Sequence, residues 1–390
     1  MPNISQFLEL NPNYISPNTI TWNDLNLNLT QEQFDLQCSQ LATRINNESA
    51  LLSAQPQVLE SLGFNPRLSP FLTESNNNLS FMRLGFAVDN TNSPKLIEVN
   101  SQTPSFIWEC HGGLQDYHKK SSISNTIYTD KLTKWLESQI ISATLKVNKL
   151  MKPNIGIVCC NHPDDYFQME YLQDIIKSSN LVYDSEVLNI EQIDISGTDR
   201  LLSLATNKYF DILLFWYPIE WLLTDQFANG EQAFEVIWNL TKNNKLVIIN
   251  GLQSFVVQNK NFLAYLHEMH DDLPDLILPS FYTLDGYKAE YGDRDYIAKP
   301  IFGREGLGVF GQKNNEIFSG DCSDSYYTDQ FYVYQPFLNS NKITLNGEEY
   351  TYTLEKWVVK INGIWHSGGQ GLRISKSDII NNLGQWVGLF

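Results

Sequence analysis

The sequence is poor in cysteine and has no long apolar run. Its cysteines, Cys38, Cys110, Cys159, Cys160 and Cys322, form neither a zinc-binding spacing nor a dense disulfide framework, so a reducing cytoplasm is expected. An apolar stretch of about eighteen residues, as a membrane span requires, is absent. The first residues carry neither a charged segment nor a long apolar one, so we expect no export signal and a soluble protein.

Basic side chains are also scarce, with 27 against 44 acidic ones, which gives a formal net charge of -17. This charge argues against binding to nucleic acid or to an anionic membrane, and it would attract cations such as a polyamine. The chain of 390 residues is 42% hydrophobic and 13% aromatic, which is enough for two or three domains with a large buried surface.

Hydrophobic periodicity indicates mixed α/β structure. Helical spacing is present from about 31 to 62 and over 129–150, and residues 81–104 are typical of two strands joined by a polar turn. Residues 155–250 alternate strand and helix, which predicts a small doubly wound parallel sheet. Residues 351–367 alternate with period two around Asn362-Gly363, which predicts a hairpin.

A glycine-rich loop follows a strand that carries one lysine in "YIAKPIFGREGLGVFG", residues 296–311. Glycine lets backbone N–H groups approach phosphate oxygens, and a fixed lysine adds positive charge, so Lys299 with Gly303 and Gly306 suits phosphate binding. The stretch is not a P-loop, because the GxxxxGKS/T pattern is absent, and no helix pattern follows it as in a dinucleotide site. A plain surface hairpin explains it equally well.

Two oxygen-bearing side chains alternate in "LIEVNSQTPS", residues 96–105. Glu98 and Asn100 stand two apart on a predicted strand, so they project from one face and offer oxygen ligands suited to Mg²⁺. For this segment alone, an exposed, half-polar strand is the alternative interpretation.

Six segments in order resemble the synthetase part of glutathionylspermidine synthetase, within the ATP-grasp superfamily. Each segment is weak alone, but together, in this order, they are distributed over the chain from 81 to 378. They are "RLGFAVDNTNSPKLIEVNSQTPS" (83–105), "LFWYPIEWLL" (214–223), "VVQNKNFL" (256–263), "YIAKPIFGREG" (296–306), "YQPF" (334–337) and "SGGQGLRISKSD" (367–378).

The resemblance implies an α/β fold with α+β elements, in which an ATP-grasp fold accompanies the small doubly wound sheet. Residues 1–150 would form a mixed α/β part that carries the metal and acid-substrate strands. Residues 151–255 would form a Rossmann-like pre-ATP-grasp domain. Residues 256–390 would form the nucleotide-binding part with its glycine-rich lid.

The resemblance also implies an enzyme, an ATP-dependent ligase that joins a glutathione-like peptide carboxylate to a spermidine-like polyamine through an acyl phosphate. Its small-molecule cofactors would be ATP and Mg²⁺. Lys260 and Lys299 match nucleotide-contacting lysines, and Gln335 falls where adenine is bound. Glu98 and Asn100 match magnesium ligands.

The remaining matched positions concern the reacting groups. Arg304 on the lid and Arg373 match active-site arginines, the first of which stabilises the acyl phosphate and its transition state. Three positions match those that hold the carboxylate substrate, with a threonine in place of a serine at one: Arg83, Thr103 and Ser105. Glu220 and Asp378 match acidic positions for the amine.

One position departs from the family pattern. The family places an aspartate, a further magnesium ligand, two residues after the arginine, and this position is Gly85 here. We therefore expect weakened metal binding or a change of metal. The alternative function is a catalytically impaired homologue that binds nucleotide or polyamine.

The adjacent pair Cys110-His111 suggests a Cys/His hydrolase at first sight. Neighbours along a backbone cannot easily face each other as nucleophile and base, so we expect a structural role for Cys110.

Overall fold

The computed structural model describes residues 4–73, 78–118, 123–147, 151–195, 200–270, 274–380 and 384–389. Within these ranges the chain forms α-helices that are mostly short: α1 (Ile4–Leu10), α2 (Gln31–Ser53), α3 (Pro56–Ser61), α4 (Ser69–Leu72), α5 (Leu114–His118), α6 (Ile123–Lys146), α7 (Pro163–Ser178), α8 (Ile219–Leu222), α9 (Ala233–Lys242), α10 (Gln253–Gln258), α11 (Asn261–Met269), α12 (Leu284–Tyr291) and α13 (Ser325–Thr328). None of these helices combines the length and apolar character needed to cross a bilayer.

The strands of the described residues belong to four sheets: β1 (Ile15–Ile20), β2 (Phe81–Val88), β3 (Pro94–Asn100), β4 (Asn154–Cys159), β5 (Asp184–Asn189), β6 (Ile193–Ile195), β7 (Leu201–Ser203), β8 (Ile212–Trp216), β9 (Val247–Ile249), β10 (Tyr296–Pro300), β11 (Phe310–Lys313), β12 (Glu316–Ser319), β13 (Tyr332–Pro336), β14 (Lys342–Leu345), β15 (Glu348–Ile361), β16 (Ile364–Ser375) and β17 (Gln385–Leu389). The predicted mixed α/β class is confirmed.

The largest sheet has seven strands in the order β1-β17-β16-β15-β2-β3, with β14 paired to β15. It combines strands from the first and last thirds of the chain. Its central hairpin, β15–β16, turns at Asn362 and Gly363, whose φ angles of 49° and 85° require the left-handed region. This hairpin confirms the sequence prediction. The division of the chain at 150 and 255 stays a prediction.

One face of this large sheet is largely apolar, and the other, the polar face, carries charged side chains at one end and buried aromatic rings at the other. Leu84, Phe86 and Leu354 are fully buried in the core formed with α2. Side chains alternate along a strand, so the neighbouring residues Arg83 and Glu355 lie on the opposite face. That opposite face forms one wall of the cleft described below.

The second sheet is parallel, with strand order β5-β4-β8-β9. Its two faces pack into different cores, one containing α6 and α7 and the other α9, so the predicted doubly wound sheet is confirmed. Strand β5 was not predicted, because "DSEVLN" is largely polar. A two-stranded sheet, β6–β7, accompanies it.

The fourth sheet, β12-β11-β10-β13, is antiparallel and carries the glycine-rich loop between β10 and β11. The predicted helix over 31–62 is two helices, α2 and α3, because Pro56 begins the second one. The helix predicted over 129–150 is α6, which begins earlier, at Ile123. Residues 148–150 lie outside the described residues.

Three aromatic rings join the parallel sheet to the large sheet. Phe81 on β2, Trp216 on β8 and Trp357 on β15 are fully buried and stacked. Their ring centroids are 5.6 Å, 5.7 Å and 6.1 Å apart. This stack fixes the carboxyl end of β8 beside the polar face of the large sheet.

We expect Trp216→Ala to lower the free energy of unfolding by about 3–5 kcal/mol, because it leaves a large cavity between two sheets. Chemical denaturation measures this change. Tyr183→Ala is the control, since Tyr183 is 76% exposed, and it should stay within about 0.5 kcal/mol of wild type. Equal effects of the two substitutions would show that the stack does not join the sheets.

Candidate active site

A cavity of about 440 Å³ lies between the polar face of the large sheet, strands β10 and β13, and the segments that follow β4 and β8. All but one of the residues proposed from the sequence line it: Arg83, Glu98, Asn100, Thr103, Ser105, Lys260, Lys299, Gly303, Arg304, Gly306, Gln335, Arg373 and Asp378. Glu220 does not line the cavity, but it contacts Arg304.

Two buried lysines meet on one side of the cavity. Lys299 projects from β10 and donates from Nζ to the carbonyl oxygen of Ile97 at 3.4 Å. Lys260, immediately before α11, donates from Nζ to the carbonyl oxygen of Gly303 at 2.7 Å. Burial lowers the pKa of Lys299 to about 8, although Glu98 opposes the shift. Burial lowers the pKa of Lys260 as well.

Gln335 on β13 is fully buried beside these lysines. Its Nε2 donates to the hydroxyl of Ser280 at 2.9 Å and to the carbonyl oxygen of Ile97 at 3.4 Å. Its Oε1 accepts no hydrogen bond within the described residues. An acceptor at this point would suit the amino group of an adenine ring.

Glu98 is the carboxylate nearest the two lysines, with Oε2 3.7 Å from Lys260 Nζ. Burial would raise the pKa of Glu98, but Lys260, Lys299 and Arg83 lower it below its usual range. Asn100 follows on the same face, and its buried Oδ1 accepts no hydrogen bond in the described part of the chain. These two oxygen donors suit Mg²⁺.

Across the described ranges, no group of three or more His, Cys, Asp or Glu side chains is arranged to hold a metal. A magnesium ion at Glu98 and Asn100 would therefore need water and phosphate oxygens to complete its shell, as is usual for this ion.

Two arginines lie farther along the polar face. Arg83 donates from Nη1 to the carbonyl oxygen of Ser105 at 3.2 Å, and its Nε is 3.0 Å from Glu355 Oε2. The guanidinium of Arg373 lies 5.2 Å from the ring centre of Trp386. Burial and the neighbouring Arg83 lower the pKa of Arg373.

The loop between β10 and β11 is a lid whose arginine reaches across the cavity. Arg304 donates from Nε and Nη2 to Glu220 Oε1 at 3.1 Å and 2.6 Å. Its Nη1 donates to Thr103 Oγ1 at 2.8 Å, and its guanidinium lies 5.9 Å from the ring centre of Trp221. Gly306 has a φ of 75°, which a residue with a side chain rarely adopts.

The two predicted amine-binding carboxylates have different surroundings. Glu220 is buried, and its Oε2 accepts no hydrogen bond within the described residues. Asp378 lies at the rim, where it pairs with Lys313 Nζ at 2.5 Å. Glu220 thus has an unused acceptor oxygen beside Arg304 but outside the cavity lining, whereas the Asp378 carboxylate is partly neutralised by Lys313.

Sequence reasoning missed four acidic residues of the cavity lining, Asp164, Asp165, Glu305 and Glu355. Glu355 comes from β15, far along the chain from the β2 residues that it opposes. Asp165, in the first turn of α7, accepts from Trp216 Nε1 at 3.2 Å, and burial raises its carboxyl pKa to about 6. Alternation along β15 could have placed Glu355 on the same face as Trp357, but only the sheet register brings it to the site.

Cys110 Sγ lies 3.2 Å from His111 Nδ1, but Nδ1 donates to the carbonyl oxygen of Ile107 at 2.7 Å, so it is not available as a base for the thiol. Cys110 and His111 are both buried outside the cavity lining. Burial raises the pKa of the Cys110 thiol, and it lowers the pKa of His111 to about 4. The thiol donates to the carbonyl oxygen of Phe106 at 2.8 Å, which supports a structural role.

A lysine-lined cleft under a glycine-rich lid, beside a small parallel sheet, is the arrangement expected of an ATP-grasp protein. The chain belongs to the family described as glutathionylspermidine synthase preATP-grasp, which matches residues 26–390. The resemblance found in the sequence is confirmed, and membership of this family agrees with the prediction of a ligase-type enzyme.

One curated relative and one solved structure illustrate the likeness. A Haemophilus influenzae protein described as a "putative acid–amine ligase" is 24% identical over 264 residues, which are 65% of this chain and 61% of that protein. A glutathione synthetase-like effector of Globodera pallida, in its apo form, matches with a TM-score of 0.54 and 11% identity. That match covers 97% of this chain and 89% of the effector, and it bears on the fold alone.

We expect the free energy of unfolding of the wild-type protein to fall, relative to that of the Asp165→Asn variant, as pH rises from about 4 to 6. The pKa of Asp165 is raised from 3.8 to about 6, so the folded state binds its proton more tightly. This contribution is complete below 3.8 and is lost as pH rises through about 6.

Urea denaturation across this pH range tests the prediction. Asp285→Asn, in the exposed first turn of α12, is the matched control and should follow the wild-type curve. Parallel curves for wild type and Asp165→Asn would contradict the prediction.

Proposed function

We propose that the protein is an ATP-dependent ligase that joins a peptide carboxylate to a polyamine through an acyl phosphate. The observation that carries this proposal is the convergence of Lys260, Lys299, Glu98, Asn100 and Arg304 on one cavity. Such a set combines fixed cations for phosphates, oxygen donors for a metal ion and an arginine on a lid.

The lysine side of the cavity suits the nucleotide. Lys260 and Lys299 would contact phosphate oxygens, and the free acceptor of Gln335 would bind the adenine amino group. Glu98 and Asn100 would hold Mg²⁺, which when bound neutralises phosphate charge during transfer to the carboxylate. An anion bound here would also stabilise the two ammonium groups, whose charged forms are disfavoured by burial.

The arginine side suits the acid substrate. A carboxylate accepts hydrogen bonds from cationic groups and hydroxyls. The cavity lining offers both on this side, from Arg83, Arg373, Thr103 and Ser105. Arg304 lies between this group and the lysines, where negative charge gathers as the acyl phosphate forms. A single donor of this kind typically contributes about a hundredfold to a thousandfold in rate.

Glu220 suits the amine substrate, because its Oε2 is an unused buried acceptor next to Arg304. An ammonium group of the polyamine would pair with Glu220 and weaken its hold on Arg304. The guanidinium could then turn toward the acyl phosphate. Asp378 at the rim and the net charge of -17 would help attract a polycation.

A cytoplasmic location is part of the same proposal. All five cysteines are unpaired thiols, as expected in a reducing compartment. The three-part domain division also belongs here, with residues 151–255 as the pre-ATP-grasp domain and residues 256–390 as the nucleotide-binding part.

Mass spectrometry after incubation with ATP, Mg²⁺, spermidine and a panel of peptides that includes glutathione tests the function. An amide product, equal in mass to the two substrates less one water, together with ADP, supports the ligase. A rise in melting temperature with ATP or spermidine but without product identifies the impaired homologue instead. The absence of both binding and product would overturn both functions.

We expect Lys299→Met to lower ADP release at least about a hundredfold with every acceptor, because a buried cation of the phosphate site is lost. Lys342→Met, at a half-exposed lysine of β14, is the control and should release ADP at the wild-type rate. Coupled ADP assays measure both. Wild-type turnover by Lys299→Met would remove this lysine from the mechanism.

We expect Glu220→Gln to raise KM for a triamine about tenfold, since a charge-assisted contact to a second ammonium group is lost. A monoamine acceptor, which has no second ammonium group, should show a smaller change. Steady-state kinetics with both amines at saturating ATP measure this difference. An equal rise in KM with both amines would indicate that Glu220 only holds Arg304 and does not bind the amine.

A further inference from the structure

Three adjacent strands bring two carboxylates to the position where the family pattern has an aspartate and this chain has Gly85. In the sheet register, Gly85 on β2 lies directly opposite Glu98 on β3 and directly opposite Glu355 on β15. Directly opposed residues share a face of a sheet, so both side chains extend over Gly85.

The carboxylate of Glu355 occupies space that a side chain at position 85 would need. A Cβ atom added to Gly85 would lie 3.4 Å from Glu355 Oε2, 3.2 Å from Glu98 Cγ and 3.6 Å from Glu98 Oε1. Oxygens of the two glutamates therefore lie within 3.6 Å of one point above the glycine. An aspartate at 85 would bring a third carboxylate into the same space.

The side chain of Glu355 is held rigidly in this position. It is 4% exposed, and its Oε1 accepts from Thr353 Oγ1 at 2.7 Å. Its Oε2 lies 3.0 Å from Arg83 Nε but accepts no well-aligned hydrogen bond in the described part of the chain. The buried Oδ1 of Asn100, on the same face, also lacks a hydrogen-bond donor there. Two buried oxygens thus face the cavity with acceptor capacity to spare.

We propose that Glu355 supplies, from the neighbouring strand, the metal-binding carboxylate that Gly85 cannot. This inference rests on the proposed nucleotide-dependent function. Glu355, Glu98 and Asn100 together would bind a divalent cation, and Arg83 and Thr353 would orient the Glu355 carboxylate.

The different lengths of glutamate and aspartate explain how a residue on β15 would replace one on β2. Glutamate is one methylene longer than aspartate, which lets its carboxylate reach from β15 over β2, and glycine leaves the necessary room. Two carboxylates and one amide are too few ligands for a closed metal site, so nucleotide phosphate would complete the shell. Metal affinity should therefore depend on nucleotide.

Electron paramagnetic resonance of Mn²⁺ bound to the full chain, with and without a non-hydrolysable ATP analogue, tests the proposal independently of turnover. We expect Glu355→Gln to weaken Mn²⁺ affinity about tenfold or more in the presence of the analogue. Glu349→Gln, an exposed glutamate on the same strand, is the matched control and should bind as wild type does.

The second test moves the carboxylate from position 355 to position 85. Gly85→Asp alone should bind Mn²⁺ no better than wild type, because its carboxylate meets those of Glu98 and Glu355. The double variant Gly85→Asp with Glu355→Ala should recover most of the affinity that Glu355→Gln loses. If Glu355→Gln does not fold, the Mn²⁺ affinity of this double variant tests the proposal.

Unchanged Mn²⁺ affinity in Glu355→Gln, or failure of the double variant to fold and recover affinity, would overturn the proposal and leave Glu355 as the counter-ion of Arg83. A wild-type protein that binds neither Mn²⁺ nor the analogue would instead contradict the proposed function itself. The two failures are therefore distinguishable.

Discussion

The part of the cleft around Lys260, Lys299 and Arg83 depends on an excess of buried positive charge. Lys260, Lys299 and Arg83 are buried there and Arg373 is half-buried, while Glu98 and Glu355 offset only part of their charge. The lowered pKa of Lys299 reflects this cost, because burial disfavours the ammonium form. A bound polyanion would relieve it. This part of the cavity is thus locally cationic, whereas other parts of the lining carry acidic side chains such as Asp164, Asp165 and Asp378. Phosphates and polycations would therefore be attracted to different parts of the same cavity.

The alternation of the large sheet creates both the core and the site. One set of β2 side chains packs against α2, whereas Arg83 and Ala87 of the alternate set line the cavity. A slip of one residue in the pairing of β2 with β15 would send Glu355 into the core and an apolar neighbour into the cleft. Packing of the apolar face therefore fixes the positions of the charged groups.

Features encoded by neighbouring residues could be predicted from the sequence. The Asn362-Gly363 turn, the lid after Lys299 and the strands of the parallel sheet each depend on a short segment. The contact between Glu220 and Arg304 joins residues 84 positions apart, and the position of Glu355 over Gly85 depends on strand register. A single sequence does not specify such pairings. Family resemblance indicated that a ligand was missing at Gly85, but only the register identifies a replacement.

The hydrogen bond from Lys260 to the carbonyl oxygen of Gly303 links the floor of the cleft to its lid. An ammonium group has three hydrogens, and here one of them already anchors the loop that would cover the nucleotide. Replacement of Lys260 would therefore release the loop as well as remove a phosphate contact, so its phenotype would combine two defects. Lys299 bonds instead to Ile97 on β3, outside the lid, which makes it the cleaner reporter of phosphate affinity.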